Sequence, residues 1–126
     1  PQLATRGLLT ARANAQRLIA AGAPLGIGND SGVPFDFPGM LHLEMELLVR
    51  LGMTPARALR AATLDNAAYC RVADKCGSIA VGKRADLVLL SDDPLADVKN
   101  VGRVRAVFKC GNLVAQADGF RLAVMD

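Results

Sequence analysis

The stretch Leu25-Gly26-Ile27-Gly28-Asn29-Asp30-Ser31-Gly32 decides how the fold is read: a short apolar run breaks off in an Asn-Asp-Ser-Gly turn that presents one carboxylate, Asp30. In parallel α/β barrels the active site lies at the carboxyl ends of the strands, so an acid placed directly after a strand is a candidate catalytic or metal-binding group. The same four residue types also make ordinary turns and helix caps, because Asx side chains bond nearby amides and Gly accepts positive φ. On the octapeptide alone that plainer reading stands first, and its surroundings shift the balance.

Upstream, Leu8, Ala11, Ala15, Leu18 and Ile19 recur at helical spacing over residues 5–21, and Gly22 suits the left-handed position just past a helix end. Ala23-Pro24 then turns the chain, and residues 25–28 are short and apolar enough for a strand buried on both faces. Residues 33–39 carry two prolines and two phenylalanines and read as a loop leading from the acid into the next helix. That helix, residues 40–51, places Leu41, Met45 and Leu48 on one stripe and His42, Glu46 and Arg50 on another, and Gly52 ends it. Thr54-Pro55 is a cap followed by proline at the first helical position, so residues 56–62 continue as an alanine-rich helix, and Asn66-Ala67-Ala68 begins another short one.

The character changes at Asp74: from Gly77 onward Val and Ile replace Ala, and glycines punctuate the chain. Strands are expected at residues 78–81, 85–90, 104–109 and 112–115, with Lys109-Cys110-Gly111-Asn112 turning a hairpin. An α/β front half thus precedes a β-rich back half, without internal repeats.

At 126 residues and 52% hydrophobic content, the chain has enough material for one packed domain. The net charge of +3 comes from scattered Lys and Arg, and four Phe and one Tyr are too few to stack on bases, so nucleic acid is not an expected partner. Cys70, Cys76 and Cys110 lack the paired spacing of a zinc site and the even count of a disulfide framework, and so read as reduced cysteines. No apolar run approaches the roughly 18 residues of a membrane span, so the expectation is a cytoplasmic protein with no membrane partner. The chain opens on Pro1 rather than Met, which fits a piece of a longer reading frame.

The segments G-I-G-N-D-S-G (26–32), L-H-L-E-M-E-L-L-V-R-L-G-M-T-P-A-R-A-L-R-A-A-T (41–63), G-S-I-A-V-G-K-R-A-D-L-V-L-L (77–90) and D-D-P-L-A-D-V (92–98) together resemble the carboxyl-terminal third of a metal-dependent amidohydrolase of the imidazolonepropionase-like and dipeptidase-like branch. The resemblance runs over residues 11–115, in the family's order. It implies the last βα part of a (β/α)8 barrel over residues 1–73, followed by part of a small β-sandwich domain over residues 74–126. It also implies a divalent metal, usually zinc, in the complete protein, with Asp30 as metal ligand or as proton acceptor from the hydrolytic water. The substrate implied is a small amide or dipeptide.

The departures matter equally. The family draws most metal ligands from histidines on earlier strands, and this chain contains one histidine, so by itself it is expected to hold no metal and to be inactive. Ser31, Gly32 and His42 are the candidate substrate-binding residues, although turn geometry alone accounts for the first two and a helix-surface stripe for His42. Arg57 stands where many relatives carry an acid that completes the capping box with Thr54, which implies a weaker helix start. Glu44 and Glu46 are two apart on a helix and point away from each other, which favours a solvated face over an acid–base pair. The Lys83, Arg84 and Asp86 turn is read as structural. The alternative to an enzyme fragment is a stand-alone remnant of the fold, a non-catalytic binding or structural module. Its open strand edges and apolar helix faces would drive homo-oligomerisation.

Overall fold

A computed structural model describes residues 2–28, 30–32 and 39–119 of the chain. Helix α1 (Gln2–Ala20) is followed by an irregular segment, then by α2 (Leu41–Arg50) and α3 (Pro55–Arg60). A π-helical turn (Ala61–Asp65) joins α3 to the single turn of α4 (Asn66–Tyr69). The back half holds strand β1 (Leu87–Leu90), a 3₁₀ helix (Val98–Gly102) and the hairpin of β2 (Val104–Lys109) and β3 (Asn112–Gln116).

The helix ends follow the sequence signals closely. Gly22 adopts φ 70, the Gly22 N–H donates to the Ile19 carbonyl and the Ala23 N–H to the Leu18 carbonyl. This paired closure satisfies carbonyls that a helix end leaves orphaned. Gly52 repeats it after α2, where the Met53 N–H reaches the Leu48 carbonyl at 3.0 Å. At the start of α3 the Thr54 hydroxyl accepts from the Arg57 N–H at 3.3 Å, with Pro55 at the first position.

The core gathers Ile19, Ile27, Met45, Met53, Ala58, Ala61 and Val98. Ala58 and Ala61 are essentially inaccessible, and their short side chains let α3 approach α2 closely. The 3₁₀ helix packs on α2 through Val98, which ties the back half to the helices. The sheet runs in the order β1-β2-β3, all antiparallel, with Leu87 opposite Phe108 and Phe108 opposite Leu113. Cys110 and Gly111 turn the hairpin at φ 51 and 80, the two positive values that a tight two-residue turn between twisted strands requires.

Two expected strands are absent. Residues 25–28 carry no regular structure and join no ladder, because the described residues contain no neighbouring parallel strand for them to pair with. Residues 78–81 form turns and irregular chain that leave Ile79 and Val81 exposed, and β1 begins at Leu87 rather than at residue 85. The short helix expected at Asn66 is present as α4, with the π turn leading into it from α3. Of the loop expected at residues 33–39, all but Gly39 lies outside the described residues.

The crossing from helices to the β-rich half is made at Gly77. Its φ is 87, and a Cβ there would lie 2.6 Å from the Ala67 Cβ and 3.0 Å from the Thr63 carbonyl oxygen. Neither neighbour is a flexible side-chain tip. Gly77→Ala is therefore expected to destabilise the fold by roughly 2–5 kcal/mol through combined backbone strain and overpacking. Urea denaturation will show this as a lowered midpoint, partly restored in the Gly77→Ala/Ala67→Gly double variant; an unchanged midpoint contradicts the packing.

Candidate active-site turn

Asp30 is exposed and sits at φ 49, a left-handed conformation that Asp and Asn tolerate better than other side chains. Ser31 occupies an isolated bridge position and Gly32 turns the chain at φ 114. The acid thus stands at the exit of the apolar segment, as expected, although that segment is not a strand.

Two side chains from α3 and α4 fix the approach to this turn. The Arg57 guanidinium donates to the Ile19 carbonyl and the Ala23 carbonyl, both at 2.7 Å. It brings a cation and two donors to the carboxyl end of α1, where orphaned carbonyls and the helix dipole favour both. Asn66 then holds Ile27 from both sides of its peptide: Oδ1 accepts from the Ile27 N–H at 3.0 Å and Nδ2 donates to the Ile27 carbonyl at 2.6 Å. The sequence reading missed both roles. Arg57 gave no signal beyond an unusual residue in a capping position; Asn66 gave a faint one, a poor helix former within a helical run.

His42 lies apart from this clasp, on α2. Its Nδ1 donates to the Gly39 carbonyl at 3.2 Å, and its ring edge faces Gly102, where a Cβ would come within 3.7 Å. The expected stripe is realised only in part: Glu46 pairs with Arg50 at 3.3 Å, four residues on, while His42 bonds backward to the loop. Glu44 and Glu46 are half-buried rather than solvated, with the Glu46 side chain 15% exposed.

The strongest electrostatic arrangement lies in the β-rich half. Asp86 Oδ1 accepts from the Cys110 N–H at 2.9 Å, while Oδ2 accepts from Lys109 Nζ at 2.9 Å and from Arg84 Nε at 2.6 Å. The Cys110 amide above all, then Lys109, holds the Asp86 carboxyl well below the ordinary carboxylate range against an opposing contribution from desolvation, with Arg84 adding to the depression. The same contact raises the Arg84 pKa. Asp86 thereby pins the hairpin turn to the chain just ahead of β1, a structural duty as the sequence suggested.

A carboxylate depressed in the folded state stabilises fully above its unfolded pKa, and that contribution fades as pH falls below about 4. The melting temperature should therefore drop on acidification, and the gap between wild type and Asp86→Asn, which keeps the acceptor for Cys110, should close below about pH 4. A gap that stays constant across thermal melts from neutral to strongly acid buffer contradicts this assignment.

The donor set does not by itself suit a metal ion. Zinc sites take three or four protein ligands, and no group of three or more His, Cys, Asp or Glu converges among the described residues. Cys70 and Cys110 are exposed and Cys76 is half-buried, and all three are free thiols. No helix among the described residues is long and apolar enough to cross a membrane.

The order of elements, the acid-bearing turn and the β-rich tail place this chain in a known class: it belongs to the amidohydrolase family, whose sequence profile matches residues 7–114. The imidazolonepropionase of Geobacillus kaustophilus is 35% identical over 111 residues, covering 85% of this chain and 26% of its own length. That of Streptomyces griseus is 40% identical over 106 residues, covering 80% of this chain and 27% of its own. Among solved structures, molinate hydrolase is 30% identical with a TM-score of 0.76, over 90% of this chain and 30% of that one. A Xaa-Pro dipeptidase is 31% identical with a TM-score of 0.75, over 82% of this chain and 25% of that one. These relatives are hydrolases of the amidohydrolase family, and this chain spans about a quarter of the length of the curated relatives named.

Proposed function

We propose that this chain is the carboxyl-terminal portion of a metal-dependent amidohydrolase that hydrolyses amide or other non-peptide or dipeptide C–N bonds, with Asp30 as the reacting carboxylate. The observation that carries the reading is the family match over residues 7–114 in a chain that spans only 26% of a relative. In this reading residues 1–73 complete a barrel and residues 74–126 belong to a composite β-sandwich. Surface chemistry supports it: Leu8 is 72% and Ile79 89% exposed, and β1 lies at a sheet edge beside an apolar cleft of about 820 Å³ lined by Leu41, Met45, Leu59 and Phe108. Large apolar surfaces and open strand edges are normally covered by more protein.

A divalent metal, zinc as the expected ion, belongs to the complete protein, with its other ligands drawn from outside these residues; its contribution is Lewis acidity. Asp30 itself does the proton work. Its carboxylate accepts a proton from the attacking water as the water oxygen bonds the substrate carbonyl carbon, and returns that proton to the nitrogen as the C–N bond breaks. Exposure and a fixed left-handed backbone suit a group that must reach solvent and substrate from one geometry. Ser31 and Gly32 line the substrate side of the same turn, and His42 is the more distant substrate-binding candidate.

The test is the complete coding sequence, purified with zinc and assayed on Xaa-Pro dipeptides and on imidazolonepropionate. Turnover of one of them is expected, and Asp30→Asn, which tolerates the same φ, should lower kcat by about 10²–10⁴-fold. No hydrolysis of any of these compounds, or an Asp30→Asn enzyme of wild-type rate, overturns the reading. The 126-residue chain on its own should self-associate and hydrolyse none of them; light scattering that returns a stable monomer would count against the exposed faces being interfaces.

A further inference from the structure

We propose that Asn66 is a positioning residue for Asp30, its carboxamide fixing the Ile27 peptide from which the acid-bearing turn departs. The inference rests on the reading of Asp30 as the reacting carboxylate.

The geometry is that of a strand pair reduced to one side chain. Across an antiparallel ladder, one residue exchanges both its N–H and its C=O with its opposite number. Asn66 makes that same double exchange with Ile27, at 3.0 and 2.6 Å, from 39 positions away in the chain. The two partners fix the orientation of the amide, since only Oδ1 can accept from an N–H and only Nδ2 can donate to a carbonyl.

The clasp is tight on its other flank as well. A Cβ at Gly26 would lie 2.5 Å from Asn66 Oδ1 and 3.0 Å from the Tyr69 ring, so glycine is required where the side chain closes over the backbone. The π turn at Ala61–Asp65 adds a residue to the helical register immediately ahead of Asn66. At about 100° per residue, that addition decides which face of the helix Asn66 occupies.

Asp30 is three residues beyond Ile27. Three residues span at most about 10 Å, so the position of Ile27 limits where the carboxylate can stand. Arg57 anchors the other end of the segment at Ala23, so the chain leading to the acid is held at two points.

A residue that only filled space would affect stability and leave catalysis to follow. A positioning residue should change kcat with little change in KM, and its replacement should carry a distinctive pH response. In the complete enzyme, assayed on its better substrate from that panel, Asn66→Ala is expected to lower kcat about 10- to 100-fold with KM nearly unchanged, the scale set by small misplacement of a reacting group. Asn66→Asp supplies the sharper readout. Its ionised carboxylate repels the Ile27 carbonyl, whereas the protonated carboxyl restores the missing donor, so its kcat relative to wild type should rise as pH falls. Gly26→Ala should mimic Asn66→Ala by pushing the amide aside, and the two changes should be non-additive.

An Asn66→Ala enzyme with wild-type kcat overturns the proposal, as does an Asn66→Asp pH profile parallel to wild type. If Asn66→Ala does not fold, the Asn66→Asp profile decides alone. Asp30→Asn runs beside them: a fully active Asp30→Asn enzyme overturns the underlying reading and the proposal with it, while an inactive Asp30→Asn beside a fully active Asn66→Ala overturns the proposal alone.

Discussion

Peptide groups withdrawn from water must find partners, and in this chain that requirement falls hardest on the segment between α1 and the acidic turn. Ile27 is buried at 5% exposure, and among the described residues no strand lies beside it. An unpaired buried amide or carbonyl costs about 1–3 kcal/mol, so an isolated segment would leave the core unless something answered both groups. Asn66 answers them, and Arg57 answers two carbonyls at the end of α1. Charge-assisted bonds of this kind are worth about 1.5–3 kcal/mol each. The helical run from α3 to α4 therefore does more than cover an apolar face, because it supplies the polar complement of the segment.

The β-rich half is fastened by a different device. Its sheet has three strands with modest burial and little to hold it but the hairpin turn, the 3₁₀ helix on α2 and the close crossing at Gly77. Asp86 gathers a backbone amide and two cations at the turn, so that the strands enter and leave in fixed register. Leu87–Leu90 remains an edge, and the cleft beside it is apolar. Such an edge is where a sheet accepts another strand.

The chain belongs to the amidohydrolase family, and among the described residues no group of potential metal ligands gathers around the acidic turn. Barrel active sites are assembled from the ends of several strands; in the reading proposed above, a chain spanning a quarter of the relatives' length supplies one acid of such a site. The architecture is consistent with that share of the work: hydrogen-bonded anchors at Ala23 and Ile27, and the acid three residues beyond.

The sequence by itself determined the local features, since these depend on neighbours in the chain. Gly22 and Gly52 end their helices because only a residue free of a Cβ takes their positive φ without strain. Thr54-Pro55 starts α3, and Cys110-Gly111 turns the hairpin, for equally local reasons. The position of Asp30 after an apolar run was legible in the same way. Tertiary structure alone decided the rest. Whether residues 25–28 and 78–81 pair as strands depends on partners that no pattern within those segments reports. That Asn66 grips Ile27 and Arg57 grips Ala23 depends on contacts 39 and 34 positions apart, fixed by a π turn whose effect on register is three-dimensional. Periodicity records which face of an element is apolar; it does not record which polar side chain will meet a distant peptide, as Asn66 meets Ile27.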